Sequence, residues 1–292
     1  MATTAEIEHR IKSGIAKSES QLACDPRALA LAIKKAVQTT MIDSQAPTAC
    51  AFSGGVDSAV IAKVAVEHDP NMLLFCFGMR GSKDIPAAKS IAAQMDAGKN
   101  LKIIEKSGDD LIADLAKCEA IFGSFEKRLM SAELGLCVCE IAQEAALHGA
   151  KSIMFGSGAE ELFAGYSRHY DKYEQGEDMM QVLKDELLAL PKKDLIATTK
   201  ICAHFGIEAL FPLIDEDVIS LAFGCPPEEK MFTREHKKPQ LRAAAKRLGV
   251  PNEAVRRPKI AMQYGTGVHK LLLDYFEKTG RREKKEEKTN FI

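Results

Sequence analysis

Apolar residues in this chain fall into two recurring patterns, and the order of those patterns predicts the architecture. Ala49–Phe52, Met72–Phe77, Leu101–Glu105 and Lys151–Phe155 are short, nearly continuous apolar runs of the kind that buried strands give. Between them the apolar positions recur at helical spacing. Val56, Val60, Ile61 and Val64 mark a helix running to Glu67, Asp84-Ile85-Pro86 introduces one over Ile85–Met95, Ser107 caps one over Asp109–Ile121, and Gly149 stops one over Ala132–His148. Repeated strand–helix units call for a parallel sheet with helices on both faces. Two helices precede this core, Ala5–Ser18 and Pro26–Thr40, the second with Asp25 as N-cap and Pro26 at its first position. From about Tyr170 the strand signal disappears, and Val182–Leu190, Lys193–Phe205, Asp217–Phe223, Gln240–Leu248 and Val268–Lys278 all read as helices. The expected fold is therefore α/β followed by a helical C-terminal half. Its segments are 1–45 (N-terminal helices), 46–168 (α/β core) and 169–292 (helical part of the same domain).

Composition narrows the function classes only a little. The 292 residues are 46% hydrophobic and 28% charged, as in ordinary globular proteins. A formal net charge of −1 argues against wholesale attraction to nucleic acid or membrane, while leaving room for a local patch. No apolar stretch approaches a membrane span and the N-terminus lacks a signal-peptide core, so the expected location is cytoplasmic. Eight cysteines, at 24, 50, 76, 118, 137, 139, 202 and 225, form no Cys-x-x-Cys pair and read as reduced core residues. Cys137 and Cys139, two apart in a helix, point to different faces and do not share a metal. The tail Arg281–Lys288, with five basic and three acidic residues, reads as a solvated end.

Chemistry enters at Ser53-Gly54-Gly55-Val56-Asp57-Ser58, which follows the first strand and opens a helix. Such a turn aims successive backbone N–H groups and a helix N-terminus at one point, which makes an anion site. The Gly-Lys-Ser/Thr element of a Walker A loop is missing. An acid, Asp57, stands at the mouth instead, and a carboxylate there tolerates phosphate only with a divalent cation between them, which implies Mg²⁺. A second glycine-rich turn, Gly156-Ser157-Gly158-Ala159-Glu160-Glu161, follows the fourth strand and again delivers acids to a helix start. If the first and fourth strands are neighbours, Glu160 faces Asp57, and the two carboxylates can hold one Mg²⁺ against a leaving pyrophosphate.

The first string resembles the pyrophosphate loop of the PP-loop ATP pyrophosphatases, a family that cuts ATP into AMP and pyrophosphate. The second resembles that of the asparagine synthetases, which reads Ser-Gly-Glu-Gly-x-Asp-Glu-Leu-Phe-Gly-Gly-Tyr. Similarity continues through Phe211-Pro212-Leu213-Ile214-Asp215 and Leu241-Arg242 to Arg257-Pro258-Lys259, as scattered matches over roughly residues 30 to 275. The resemblance implies an adenine-nucleotide-hydrolase-like sheet and an AMP-forming carbon–nitrogen ligase that uses ATP and Mg²⁺. It implies that Ser53, Gly54, Gly55, Asp57 and Ser58 cradle pyrophosphate, that backbone around Phe77, Gly78 and Gly156 holds adenosine, and that Asp57 and Glu160 bind the metal. Lys259 matches the lysine that reaches the triphosphate, so Asp57, Glu160 and Lys259 are the expected catalytic groups.

The departures concern the acceptor side. Phe155 and Ser157 stand where the family has a substrate-holding serine and a proton-managing glutamate, and Glu160 replaces its Asp. Family members also begin with a glutaminase domain whose nucleophile is a cysteine directly after the initiator Met, and here that position is Ala2. The expected substrate is a small-molecule carboxylate, with nitrogen taken as ammonia or from a separate glutaminase. Two alternatives stand beside this reading. One is a PP-loop enzyme modifying tRNA or transferring sulfur, supported by the basic residues Arg234, Lys237, Lys238, Arg242, Lys246, Arg247, Arg256 and Arg257. The other is a non-catalytic nucleotide-binding module.

Overall fold

A computed structural model describes residues 3–19, 24–122, 129–231 and 233–281. Five strands form one sheet: β1 (Thr48–Ala51), β2 (Leu73–Met79), β3 (Leu101–Lys106), β4 (Ser152–Met154) and β5 (Glu208–Leu210). Their spatial order is β3-β2-β1-β4-β5 and every pairing is parallel. The first four fall on the four apolar runs. The fifth corrects the expectation that strands end before Tyr170. It is three residues long, carries a glutamate and closes an edge of the sheet, so it offers no apolar run to read.

The chain builds the sheet outward from β1 to β2 and β3, then returns to place β4 on the other side of β1. The carboxyl ends of β1 and β4 are thus the point where the winding reverses, and the crevice there is where open α/β sheets bind ligands. Strand side chains alternate between two cores, as a period of two requires. Cys50, Leu74, Cys76 and Met154 face one layer, which includes the helices Pro26–Asp43, Val56–His68 and Asp84–Gln94. Ala49, Ala51, Phe75, Phe77, Ile153 and Phe155 face the other, built from Gly108–Phe122, Leu129–Leu147, Asp194–His204 and Val268–Lys278.

Local signals set most helix ends. Asp25 accepts from the backbone N–H groups of Arg27 and Ala28, with Pro26 at the first position, as expected. Ser107 and Asp110 cap each other at the start of Gly108–Phe122. Gly149, at φ +82°, ends the turn after Leu129–Leu147 with the left-handed backbone that glycine adopts freely. The N-terminal helix Thr4–Ser18 rests on Glu216–Phe223, and Pro26–Asp43 rests on Pro239–Arg247. Both leading helices therefore pack on the C-terminal half, and Pro26–Asp43 also packs on Val56–His68.

One reading of the cysteines needs correction. Cys50, Cys76, Cys118, Cys137, Cys139 and Cys202 are free and buried, but Cys24 is joined to Cys225 by a disulfide. The pair is separated by 201 positions, so no local spacing announces it. Of the charged tail, only Arg281 lies among the described residues, where it bonds Glu119, and positions 282–288 fall outside them.

Candidate active site

The SGGVDS turn leaves β1 and enters the helix Val56–His68, with Gly55 as N-cap. Gly54 has φ +75°, and a Cβ there would lie 3.0 Å from the Ala88 nitrogen, so only glycine fits both backbone and space. The loop is tied internally. Ser53 N–H donates to Ser58 Oγ at 3.2 Å, Gly55 N–H donates to Ser53 Oγ at 3.3 Å, and Ser58 Oγ donates to the Gly55 carbonyl at 3.1 Å. The two serines thus brace the turn as well as offering hydroxyls.

An external clip holds the same loop. Arg257 donates to the Ser53 carbonyl at 2.8 Å, to the Lys83 carbonyl at 3.1 Å and to Asp84 Oδ1 at 2.7 Å. Asp84 is buried, and Gly265 lies so close to its carboxylate that no side chain fits there. Burial pushes the Asp84 carboxyl above its ordinary range and Arg257 draws it back down. The guanidinium therefore anchors the Arg257-Pro258-Lys259 segment to the phosphate loop, and Lys259 is delivered from there.

Lys259 meets Glu160 at the mouth of the loop, with Asp57 Oδ2 4.0 Å away. Glu160 lies on the short helix Ala159–Phe163 after β4. Gly156 makes this approach possible, because a Cβ there would stand 3.1 Å from Asp57 Cβ. Asp57, Glu160 and Lys259 are thus brought together as the sequence predicted. Phe77 and Gly78 occupy the carboxyl end of β2, which runs beyond the Ala51–Phe75 pairing and so flanks the start of the loop.

The group sequence reasoning misplaced is Lys238, read there only as part of a basic cluster. Its ammonium donates to Asp57 Oδ2 at 2.7 Å and to Glu160 Oε1 at 2.8 Å, and its side chain is wholly buried. It sits at φ +63°, ψ +48°, immediately before Pro239. Both the left-handed region and the position ahead of proline disfavour this backbone for lysine, so surrounding contacts hold it. Gly165 makes room, since a side chain there would strike Glu160 and Lys238. The readable signal was positional: Lys238 stands three residues before Leu241-Arg242, inside the matched segment.

Charge is balanced in this cluster of two ammonium groups and two carboxylates. Burial opposes the charged form of Glu160, but Lys238 and Lys259 overcome it and bring its pKa down to about 2. Burial likewise disfavours the Lys259 ammonium, and Glu160 and Asp57 outweigh that and raise its pKa above the ordinary lysine value. Behind them Glu161, buried and next to the Glu160 charge, is pushed up to about 7 and accepts from Tyr166 at 3.1 Å. Asp57 Oδ1 and Glu160 Oε2 are buried and accept no hydrogen bond among the described residues. Unpartnered carboxylate oxygens are the hard donors a divalent cation takes, so Asp57 and Glu160 suit Mg²⁺.

Other expected residues take structural positions. Arg242 donates to the Lys237 carbonyl at 2.6 Å and also bonds the Val255 carbonyl, lacing the Lys238 loop to the segment that leads to Lys259. Phe155 is buried against Phe211 in the core, while Ser157 is half-buried beside Gly156. Asp215 caps the helix Glu216–Phe223. The basic residues do not form one surface: Lys238 and Arg242 are buried, Arg257 is committed to the loop, and Arg234 pairs with Asp171 and Glu174.

A parallel sheet with this order, a glycine-rich anion loop after β1 and a basic residue returned to it from the C-terminal half define the PP-loop class of nucleotide-binding α/β proteins. The asparagine synthase family model matches residues 28–194 and 172–292, and the chain belongs to that family. A putative asparagine synthetase (glutamine-hydrolyzing) 1 of Methanocaldococcus jannaschii is 29% identical over 268 residues, covering 80% of this chain and 48% of the relative. Asparagine synthetase (glutamine-hydrolyzing) 2 of Lotus japonicus is 27% identical over 222 residues, covering 72% and 37%. The corresponding protein 1 of Arabidopsis thaliana is 28% identical over 225 residues, covering 70% and 36%. The chain thus spans about half or less of the length of these relatives. A solved NMN synthetase from Francisella tularensis aligns over 91% of this chain and all of its own at 11% identity, with a TM-score of 0.42, a likeness too weak to bear on chemistry. No helix among the described residues is long and apolar enough to cross a membrane.

Proposed function

We propose that this chain is an ATP-dependent carbon–nitrogen ligase of asparagine-synthetase type, which adenylates a small carboxylate and passes the acyl group to ammonia or an amine. The observation that carries the reading is the convergence of Lys238 and Lys259 on Asp57 and Glu160 in front of the SGGVDS loop. Four motifs far apart in sequence deliver these groups to one point.

In the proposed reaction a carboxylate oxygen attacks the α-phosphorus of ATP, and the bond from that phosphorus to the bridging oxygen of pyrophosphate breaks. The amides of the turn and the hydroxyls of Ser53 and Ser58 receive the leaving pyrophosphate. Lys259 and Lys238 offset the charge that grows on the α-phosphate and the leaving group. Asp57 and Glu160 would hold Mg²⁺, which when bound supplies Lewis-acid neutralisation of the phosphate oxygens. Glu160, with a pKa of about 2, stays ionised throughout the physiological range for that role. The nitrogen nucleophile then attacks the acyl carbon, and AMP departs with the electrons of the acyl–oxygen bond. Ammonia would arrive free or from a glutaminase. Phe155, sealed in the core, and the short Ser157 support a carboxylate other than the one the family's serine and glutamate handle.

Exchange of labelled pyrophosphate into ATP, run across amino acids and dicarboxylic acids with aspartate included, tests the reading. Exchange that depends on one class of acid supports adenylation. Formation of ADP and phosphate as sole products would refute it.

A further inference from the structure

Cys24 and Cys225 form a clasp on the segment that carries Lys238. Cys225 begins the stretch that continues through the helix Pro227–Lys230 and reaches Lys238, and the disulfide binds it to Cys24. At the far end of the stretch, Gln240 donates from Nε2 to the Cys24 sulfur at 2.9 Å. One sulfur therefore holds both ends of Cys225–Gln240. Between those ends, Lys230 is wholly buried and donates to the Leu162 carbonyl at 3.0 Å, two residues from Glu160. Lys238 itself is in a backbone conformation that a free loop would leave.

From this we infer that the Cys24–Cys225 pair is a thiol–disulfide switch, whose oxidised form seats Lys238 between Asp57 and Glu160. The inference rests on reading that cluster as a nucleotide-binding centre. In forming the bond the two thiols together give up two protons and two electrons to a small-molecule disulfide such as oxidised glutathione. That oxidant leaves as two thiols, and a dithiol reverses the exchange.

Two further observations single out this pair. Cys24 is partly exposed, whereas the six free cysteines are all buried. Burial pushes the thiols of Cys50, Cys76, Cys137 and Cys202 up to about 12, which leaves them unreactive. Gln240 is also made to serve both states. Its amide N–H donates to the sulfur lone pair of the disulfide, while its buried Oε1 has no partner among the described residues. A reduced Cys24 would bring an S–H donor to that same amide, so Gln240 can bond either form after a rotation of its side chain. Reduction removes the covalent tie at Cys225 and lets the Lys238 segment relax from its disfavoured backbone.

The test uses the full chain, equilibrated with oxidised glutathione or with dithiothreitol. Peptide mapping reads the Cys24–Cys225 link, limited trypsin digestion reads cleavage after Arg234 and Lys237, and calorimetric titration reads affinity for ATP with Mg²⁺. The expected result is a link in the oxidised protein only. On reduction, cleavage should speed up and nucleotide affinity fall, each by about tenfold, and both should reverse on reoxidation, as local opening of one segment predicts. Cys225→Ser should behave as the reduced protein in either buffer. A missing Cys24–Cys225 peptide after oxidation overturns the inference. So does a link that forms while cleavage and affinity stay the same in both states. These readouts need no turnover, so a protein that forms no AMP from any acid but shows all three changes would refute the proposed ligase activity and leave the switch standing.

Discussion

Gly156 and Asp57 stand back to back: a methyl group on the Gly156 Cα would lie 3.1 Å from Asp57 Cβ and 3.2 Å from its carbonyl carbon. This contact joins the loops after β1 and β4, and it allows Glu160 to reach the same ammonium groups as Asp57. Gly156→Ala should therefore push the second loop off the first. The neighbour must give by only a few tenths of an ångström, so we expect a rate loss smaller than the roughly 10²-fold that about 1 Å of misplacement gives. The rate of AMP formation checks this.

Lys238→Met keeps the length of the side chain and removes the charge. Asp57 and Glu160 then face each other with only Lys259 between them, and the charge growing on phosphate loses one of its two cations. A loss of about 10²–10³ in kcat is expected for one such preorganised donor. Lys238→Arg should not restore it, because Gly165 leaves space for nothing larger beside Glu160. Steady-state kinetics of both variants decide the matter, and a near-normal kcat in Lys238→Met would return this lysine to a purely structural role.

Asp84→Asn tests the clip on the phosphate loop. The half-buried Arg257 would lose its ionic partner, although it could still reach the carbonyls of Ser53 and Lys83. Burial already raises the Asp84 pKa and Arg257 keeps two carbonyl partners. The destabilisation should therefore fall below the roughly 3–5 kcal/mol of a fully buried pair broken on one side, and a slackened loop should bind ATP more weakly. Urea unfolding and nucleotide titration check the two parts. Asp84→Glu should rescue neither, since Gly265 already abuts the carboxylate.

Lys230 gives a pH signature. Burial, helped by the nearby Lys184 charge, brings its pKa down to about 7. Below that value the ammonium is charged in the folded and unfolded chain alike, and the full penalty of burying it is felt. From about pH 7 up to the ordinary value of 10.5 the unfolded chain holds a proton that the folded chain lacks, so this group's contribution to stability rises with pH. Other groups titrate in the same window, so the difference between two proteins is the measurement. Unfolding free energy of the parent minus that of Lys230→Met should climb between pH 7 and 10 and stay flat below 6.5. A flat difference throughout would mean that Lys230 carries its charge without penalty.

Most of the fold was legible because buried parallel strands leave continuous apolar runs and the intervening helices leave capped periodic ones. β5 left neither, being short, at an edge and interrupted by Glu208. Within the site, that Asp57 and Glu160 meet was readable because each sits in a glycine-rich turn after a parallel strand. That Lys259 joins them was readable only through the family resemblance of Arg257-Pro258-Lys259. Lys238 was not, since its importance comes from burial and from two carboxylates lying 181 and 78 residues earlier. The Cys24–Cys225 disulfide was hidden for the same reason: tertiary packing, and no spacing rule, brings its halves together. Basic residues near 234–257 looked like one surface in sequence, and the fold instead sends Lys238, Arg242 and Arg257 inward.

Carboxylate attack on the α-phosphorus forms a bond that one isotope experiment reports directly. The acid that supports pyrophosphate exchange is labelled with ¹⁸O in its carboxyl group and turned over with ATP, Mg²⁺ and ammonia, and the phosphorus products are separated and weighed. One labelled oxygen is expected in the phosphate of AMP, carried there when the acyl–oxygen bond breaks on the acyl side. Label recovered in inorganic phosphate alongside ADP would place the attack on the γ-phosphorus and contradict adenylation.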